Sequence, residues 1–273
     1  MKFGNAAWGF RQMPLEEQLK FTRKMGFEVL ELGIANAPGD LPLTVEEKEL
    51  EQVKNLFFQY GVRLDYASTG NDFSEGNQRD LEKVRRVCDI CGRLGVKYLR
   101  IFSGFSPVKE VVGDRWETMI SSLREADAYA GKRNVHLVIE THGGVRTFRD
   151  GVEHFMSTSS HPETLARMLK ELPETVRVCY DPANLWAVGL QKPEEVYEIC
   201  RDRVSMVHLK EFVPLASGHL RPAACGDGEM NWRGILEALK DYEGAALFEY
   251  ENPWDVREGT ARCYDYIKKR TTD

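Results

Sequence analysis

The chain has 273 residues, of which 42% are apolar and 29% are charged, so it is long enough to bury a substantial core. Its formal net charge of -6 argues against nucleic-acid binding, because proteins of that class present a basic face. We find no apolar run of about 18 residues and no apolar segment typical of a secretory signal, so we expect no membrane span and no membrane partner. Six dispersed cysteines favour reduced thiols and a cytoplasmic location.

Short β-rich runs alternate with helix-like stretches along the chain. Runs rich in β-branched and aromatic residues predict strands at Lys2–Trp8, Val29–Ile34, Val62–Thr69, Tyr98–Ser103, His136–His142, Val176–Asp181, Val204–Phe212 and Ala245–Glu251. Apolar residues at three- and four-residue spacing predict helices at Pro14–Met25, Thr44–Tyr60, Asn77–Leu94, Asp114–Gly131, Pro162–Leu172, Pro193–Asp202, Asn231–Asp241 and Asp255–Arg270. The second helix shows a start signal, since Thr44 followed by Glu47 is typical of a capping box.

This alternation predicts an α/β fold with a parallel sheet and right-handed crossovers. Eight strand-helix units in about 270 residues predict closure into one (β/α)8 TIM barrel, a single domain over residues 1–273. The alternative is an open doubly wound sheet, which should carry a Gly-x-Gly-x-x-Gly loop after its first strand; the segment Gly4–Gly9 lacks that spacing. The longer loops follow strands, so we expect the functional site at the carboxyl ends of the strands.

Four neighbouring strands each end in a residue type that binds divalent metals. These residues are Glu140, Asp181, His208 and Glu249. Barrel strands are normally apolar, and three carboxylates with one imidazole would repel each other unless a cation lay between them. The set matches one divalent ion such as Mn²⁺, Mg²⁺, Co²⁺ or Zn²⁺. Any one of these residues could instead be a solvated residue at a loop edge or one half of an ion pair. Four such residues at matching positions on consecutive strands favour a metal site. Such an ion can polarise a carbonyl and stabilise an enediolate.

Side chains alternate along a strand, so residues two positions further point to the same inward face. His142 lies two residues after Glu140, and Lys210 lies two after His208. We predict that His142 hydrogen-bonds a substrate hydroxyl and that Lys210 neutralises an oxyanion or binds a phosphate. The alternatives are a core histidine and a lysine paired with Glu31 or Glu251.

Other substrate-binding candidates come from strand ends and loops. Asn184, three residues after Asp181, offers an amide to sugar hydroxyls, and Trp8 offers an indole to the apolar face of a sugar. Glu31 is unusual within an apolar strand, and Arg221 lies in the longest late loop, where it could reach an anionic substrate.

A further pair of charged residues lies in the third and fourth predicted strands. We expect Asp65 and Arg100 to form a buried ion pair inside the barrel.

Taken together, several motifs resemble the xylose-isomerase-like TIM barrels, the sugar phosphate isomerase/epimerase superfamily. The motifs are Ile139–His142, Tyr180–Asn184, Val207–Lys210, Gly226–Gly228, Phe248–Glu251 and the opening segment Phe27–Gly33. The resemblance implies that Glu140, Asp181, His208 and Glu249 hold the metal. It also implies that Glu140 and Glu249 are the catalytic pair, acting on opposite faces of a small carbohydrate. A homo-oligomer is compatible with the family.

The sequence departs from the ketose 3-epimerases within this superfamily. Asn184, Arg146 and Pro214 stand where those enzymes usually have a histidine, an acidic residue and an arginine. Arg146 and Lys210 therefore suggest a more oxidised or anionic substrate. The leading hypothesis is a metal-dependent isomerase or epimerase of a sugar, keto-sugar or polyol. A lyase that dehydrates a keto-inositol or keto-sugar is the alternative, and a non-catalytic sugar binder and an endonuclease-IV-type nuclease are more distant ones.

Overall fold

The structure, a computed structural model, describes residues 1–271. Its strands are β1 (Lys2–Asn5), β2 (Val29–Gly33), β3 (Arg63–Ser68), β4 (Tyr98–Ile101), β5 (His136–Glu140), β6 (Gly144–Thr147), β7 (Val152–Phe155), β8 (Arg177–Tyr180), β9 (Val204–Leu209), β10 (Glu211–Pro214), β11 (Leu220–Ala223) and β12 (Ala245–Phe248). Its helices are α1 (Leu15–Lys24), α2 (Glu47–Tyr60), α3 (Gln78–Leu94), α4 (Asp114–Gly131), α5 (Pro162–Glu171), α6 (Pro182–Ala187), α7 (Pro193–Cys200), α8 (Trp232–Ala238) and α9 (Val256–Thr271).

Eight of these strands close into a parallel barrel in the order β1-β12-β9-β8-β5-β4-β3-β2. Helices alternate with the barrel strands along the chain, which confirms the predicted (β/α)8 fold. The predicted elements appear with small shifts at their ends. The predicted domain reaches residue 273, and its last two residues lie outside the described part of the chain.

The start of α2 differs from its prediction. Thr44 does not cap the helix, because it lies in a turn closed by the Val45 amide and the Pro42 carbonyl, 3.2 Å apart. The helix begins at Glu47, and the amide of Glu46 donates to the carboxylate of Glu49 at 2.9 Å. The helix therefore does begin with a capping box, but Glu46 and Glu49 form it, two residues after the predicted Thr44 and Glu47.

Inside the barrel, apolar and charged residues occupy successive levels. A small buried cluster includes Val138, Cys179, Met206 and Leu247. Two positions further along the same four strands come the predicted metal ligands, as the alternation of side chains along a strand requires. The apolar level thus forms the floor beneath the charged level. A much larger apolar cluster fills the space between the strands and the helices.

A second sheet, which we call the accessory sheet, was not predicted. Its antiparallel strands run in the order β10-β11-β7-β6. The hairpin β6–β7 follows barrel strand β5, the hairpin β10–β11 follows β9, and a bridge between Leu220 and Val152 joins them. The prediction treated these segments as loops and continued one strand through Lys210 to Phe212. The structure instead ends β9 at Leu209 and begins β10 at Glu211.

Two expectations concern the chain as a whole. The six cysteines are free and buried, as the expectation of reduced thiols requires. Among residues 1–271, we find no helix with both the length and the apolar character needed to cross a bilayer.

Candidate metal centre and substrate cavity

The four predicted metal ligands converge at the carboxyl ends of β5, β8, β9 and β12. Glu140, Asp181, His208 and Glu249 are all buried, and one ligand atom from each lies within 4.8 Å of every other. Asp181 is fixed by its local structure, because its Oδ1 accepts the amide of Asn184 at 2.9 Å and so caps α6. Pro182 follows at the first helical position, where proline is favoured.

The surroundings of His208 suit a cation. Both ring nitrogens are buried and have no hydrogen-bond partner within residues 1–271. Nδ1 lies 3.5 Å from Oε1 of Glu140 and 3.4 Å from Oε1 of Glu249. A buried imidazole with no partner is costly, and a metal ion among these carboxylates would satisfy it. The four residues therefore fit the donor set of a divalent ion.

The charges around this point also favour a cation. The carboxylates are Glu31, Glu140, Asp181, Glu249 and Glu251, and the cations are Arg100 and Lys210. When all five acids are ionised and His208 is neutral, as a metal ligand must be, three negative charges are in excess, and a divalent ion would leave one. Uncompensated buried charge is strongly unfavourable, so the cluster has a physical reason to bind metal.

Arg100 and Asn184 hold Glu140 from two sides. Arg100 Nε lies 3.3 Å from Oε2 of Glu140, and Asn184 Nδ2 donates to Oε1 at 2.9 Å. Burial opposes ionisation of Glu140, but Arg100 and His208 outweigh it and lower the pKa of Glu140 to about 2. Asn184 was predicted to bind substrate, whereas the structure places it behind Glu140 as a residue that positions this carboxylate.

The expected pair of Asp65 and Arg100 does not form. In the parallel register of β3 and β4, Arg100 lies opposite Ser68, whereas Asp65 lies level with the start of β4. Asp65 contacts Arg63 and Lys97 instead, and Arg100 extends toward Glu140. The error arose because sequence alone did not fix the register of the two strands.

Lys210 is almost completely buried among carboxylates. Its Nζ lies 2.6 Å from Oε2 of Glu249, 2.8 Å from Oε1 of Glu251 and 3.2 Å from Oδ2 of Asp181. Burial raises the pKa of Asp181 to about 7 against the opposing attraction of Lys210, and Glu140 raises it further. The alternative that Lys210 pairs with Glu251 is therefore observed, together with contacts to two metal-ligand candidates.

Glu31 lies beneath the cavity. Its Oε2 accepts the amide of Ala7 at 3.0 Å, and its Oε1 lies 3.5 Å from Nε2 of His208. Glu31 was predicted to bind substrate, but the structure places it behind a metal-ligand candidate. A carboxylate in this position can fix the orientation and tautomer of the imidazole.

A cavity of about 570 Å³ opens above the cluster. Its walls are Trp8, Arg11, Asn36, Arg100, Phe102, Phe105, Glu140, His142, Val145, Thr147, Val152, His154, Lys210, Pro222, Glu249 and Glu251. The predicted substrate residues Trp8, His142 and Lys210 are among them. Arg221 is not, because alternation along β11 turns Pro222 toward the cavity and leaves Arg221 exposed.

The remaining basic candidate, Arg146, lies away from the cavity. Its side chain is 60% exposed and pairs with Glu153 on the neighbouring strand at 3.3 Å. The observed position of Arg146 gives no support to an anionic substrate.

His142 is held firmly at one wall. Its ring lies edge-on to Phe102 and Phe105, with centroids 5.1 and 5.5 Å away. Burial lowers the pKa of His142, which favours the neutral imidazole. The hydroxyls of Ser157 and Ser159 donate to its main-chain carbonyl. Its Nδ1 donates to the carbonyl oxygen of Gly143 at 2.5 Å, which leaves Nε2 of the neutral ring as an acceptor, and recognition of a substrate hydroxyl by His142 stays a prediction.

The sequence analysis missed several wall residues, including His154 and Val152 on the accessory sheet. A signal was present, because Asp150-Gly151 precedes Val152 and is typical of a hairpin turn. Recognising that hairpin would have brought His154 to the same edge of the barrel as His142.

Comparison with known proteins agrees with the barrel fold. A family model described as xylose isomerase-like TIM barrel matches residues 19–270. The probable 3-DHS dehydratase AsbF of Bacillus anthracis, involved in petrobactin synthesis, has a TM-score of 0.79 at 16% identity, over 97% of this chain and 98% of that chain. An IOLI protein with a binding zinc atom has a TM-score of 0.77 at 16% identity, over 99% of both chains. A D-tagatose 3-epimerase-like protein has a TM-score of 0.73 at 18% identity, over 100% of this chain and 99% of that chain.

At these identities the solved structures show a shared fold alone. Among curated proteins, none is significantly similar in sequence. The family model, in contrast, spans most of the chain, and its match agrees with the resemblance of the motifs at the strand ends. The chain therefore belongs to the xylose isomerase-like TIM-barrel family.

Proposed function

We propose that this protein is a metal-dependent isomerase or epimerase that moves a proton at a carbon next to the carbonyl of a small keto-sugar. One observation carries the proposal: Oε1 of Glu140 and Oε1 of Glu249 lie 3.5 and 3.4 Å from the same atom, Nδ1 of His208. An isomerase or epimerase needs one carboxylate to remove a proton from a carbon of the bound ligand and a second carboxylate to return it. Both also line the cavity.

Cations hold the opposite oxygens of the two carboxylates. Arg100 faces Oε2 of Glu140, and Lys210 faces Oε2 of Glu249. Glu140, Asp181, His208 and Glu249 would hold the divalent ion, which supplies Lewis acidity to a substrate carbonyl when bound. Arg100 and Lys210 limit rotation of the two carboxylates and so keep their inner oxygens toward the reacting carbon.

The residues above the cluster would bind the substrate and exclude water. Trp8, Phe102 and Phe105 offer apolar surface, and His142, whose Nδ1 donates to the Gly143 carbonyl, offers Nε2 as a hydrogen-bond acceptor. This mixture suits a sugar, which has apolar C–H faces and polar edges. The proposed partner is accordingly a small carbohydrate.

Dehydration is the second candidate, and Lys210 favours it. A lyase needs a positive group at the leaving oxygen in addition to the base that removes the proton from carbon. The ammonium of Lys210 lines the cavity beside Glu249, and against the effect of burial Asp181 and Glu249 raise the pKa of Lys210 well above its usual value, so it acts as a fixed positive charge. In this reaction Glu249 takes the proton, the C–H electrons form the double bond, and the β-hydroxyl leaves as water with the proton that Glu249 returns, while Lys210 stabilises the negative charge on the leaving oxygen.

The cluster also bears on the nuclease alternative. That alternative predicts several metals and many histidines. Within the described residues, we find one group that could hold a metal, and it contains a single histidine. This observation favours the sugar enzyme.

Metal analysis by plasma mass spectrometry is the first test, on wild-type protein, on Glu249→Gln and on the exposed control Glu237→Gln. We expect about one divalent ion per chain in the wild type and the control, and much less in Glu249→Gln. If wild-type protein takes up no Mn²⁺, Co²⁺ or Zn²⁺ on titration, the proposal is wrong and the cluster is an ion-pair network.

Incubation of keto-sugars and keto-inositols with the loaded protein in D₂O then separates the reactions. Deuterium at carbon in an isomer or epimer supports the leading proposal, and an unsaturated product supports the lyase. Binding without exchange or product would indicate a non-catalytic sugar binder.

A further inference from the structure

His154 is a half-buried polar residue with no role in the chemistry described above. It lies on β7 of the accessory sheet, and its ring lines the cavity. Its ring centroid is 5.1 Å from that of Phe212 and 6.3 Å from that of His142. Both ring nitrogens are buried, and neither has a hydrogen-bond partner in the described chain from Met1 to Thr271. A half-buried imidazole at a cavity wall, whose two shielded nitrogens have no partner among the described residues, calls for a ligand.

The position of His154 is fixed by its strand. It pairs across the hairpin with Val145, and both residues line the cavity. The bridge from Val152 to Leu220 ties the same strand to β11. A residue on a paired strand is a more precise contact than one on a free loop, so the ring is suited to select between ligands.

The imidazole of His154 is neutral. Burial, together with the positive charge of Lys210 and the neighbouring ring of His142, lowers the pKa of His154 to about 3. A neutral imidazole carries one donor and one acceptor, which matches a hydroxyl group. It offers no charge to a phosphate or carboxylate.

The cations of the cavity wall are already engaged. Arg11 donates to the carbonyl oxygens of Trp8 and Glu251, at 2.8 and 3.1 Å. Arg100 and Lys210 face the buried carboxylates. An anionic group on the ligand would therefore compete with buried carboxylates for Arg100 and Lys210, whereas Arg11 uses two of its five N–H groups in its carbonyl contacts.

We propose that His154 is a substrate-binding residue that hydrogen-bonds a hydroxyl of an uncharged, polyhydroxylated ligand from the accessory-sheet side of the cavity. Phe102 and Phe105 pack against the C–H surface of the same ligand. This inference rests on the proposed function for the presence of a sugar site. It deepens that proposal by assigning a neutral substrate class, in place of the anionic one that Arg146 and Lys210 suggested from sequence.

The test uses ligands that cannot react by proton transfer next to a carbonyl, because they have none. The probes are xylitol, sorbitol and the anionic counterpart sorbitol 6-phosphate. Zn²⁺-loaded protein labelled with ¹⁵N-histidine is titrated with each probe, and the ring signals of His154 are assigned by their loss in His154→Phe. Dissociation constants are measured by calorimetry for wild type, His154→Phe, His154→Gln and the exposed control Glu153→Gln.

We expect xylitol or sorbitol to shift the His154 ring signals. His154→Phe should weaken polyol binding roughly three- to tenfold, the loss that accompanies one neutral hydrogen bond. His154→Gln, which keeps a donor and an acceptor, should recover most of the affinity, and Glu153→Gln should change nothing. Recovery by Gln distinguishes a ligand contact from a merely structural role.

Three results would overturn the inference: unshifted His154 signals at every probe concentration, equal polyol affinity in wild type and His154→Phe, or tighter binding of sorbitol 6-phosphate through His154. Failure of the proposed function looks different. In that case polyols bind through His154, yet no keto-sugar exchanges deuterium or forms product.

Discussion

The ammonium nitrogen of Lys210 lies 2.6 Å from Oε2 of Glu249, and both side chains are almost completely buried. The same nitrogen lies within 3.2 Å of carboxylates of Glu251 and Asp181. One lysine thus serves as counter-charge to three acids at the bottom of the cavity. Removing a buried counter-charge leaves its partners uncompensated in a medium that solvates them poorly.

Replacing Lys210 by Met should therefore destabilise the metal-free protein by about 3 kcal/mol. The measurement is urea unfolding in the presence of a chelator. Lys240→Met is the matched control, because Lys240 pairs with Glu237 on the exposed surface and should cost less than about 1 kcal/mol. Zn²⁺ should restore part of the stability of Lys210→Met. Equal stability of Lys210→Met and Lys240→Met would show that the buried contacts contribute nothing.

Asn184 positions a metal-ligand candidate, so its effect should appear in metal affinity. Asn184→Ala removes the hydrogen bond to Oε1 of Glu140 and should weaken Zn²⁺ binding by about tenfold or more. Competition with a chromophoric chelator measures this affinity. Asn231→Ala is the control, because it removes a helix cap at α8 and should lower stability without changing metal binding. A wild-type Zn²⁺ affinity in Asn184→Ala would contradict the positioning role.

His154 should make the protein sensitive to acid. Its pKa is about 3 in the folded protein and about 6.5 in an unfolded chain. As the pH falls below 6.5, the unfolded state binds a proton that the folded state does not, so the free energy of unfolding decreases. This loss is absent above pH 6.5 and grows until the pH approaches 3.

Between pH 6.5 and pH 5, the unfolding free energy of wild type should fall more than that of His154→Gln, by up to about 2 kcal/mol. Urea unfolding of both proteins at pH 7, 6 and 5, with chelator present, checks this difference. Parallel pH profiles would mean that His154 takes up its proton in the folded state as readily as in the unfolded one.

Glu211 fixes the segment 226–232, which leads into the first residue of α8. Its buried carboxylate accepts hydrogen bonds from the amides of Gly226 and Met230 and from Nε1 of Trp232, the last at 2.8 Å. Glu211→Ala leaves these three donors without a partner and should cost about 3 kcal/mol in unfolding free energy. The fluorescence of Trp232 should also change. The exposed neighbour Glu229→Ala should cost less than about 0.5 kcal/mol, and a similar loss in both variants would count against this role of Glu211.

The barrel and the metal-ligand cluster could be predicted because both follow from local periodicity. Val138 and Glu140 lie two positions apart on one strand, as do Met206 and His208 on another. Because side chains alternate along a strand, both members of each pair point inward whichever strands are the neighbours. Parallel strands joined by helices bring their carboxyl ends to one face. The four ligands therefore converge without any knowledge of exact distances.

The accessory sheet depends instead on pairing between distant segments. Val152 meets Leu220 only after β5 and β9 have placed their following hairpins side by side. No local pattern encodes this contact, and each hairpin alone is too short to be stable. The Asp150-Gly151 turn indicates the hairpin that carries His154, but it does not indicate that the ring of His154 reaches the cavity.

The sequence by itself determined which residues lie at the ends of the barrel strands and which way they face, because the period of a strand is local. Tertiary structure decided how those residues are paired. Arg100 contacts Glu140 instead of Asp65 because of strand register. Asn184 and Glu31 lie behind the metal-ligand candidates because the barrel closes around them. Burial and the charges brought next to each group together set its pKa, and both exist only once the whole chain has folded.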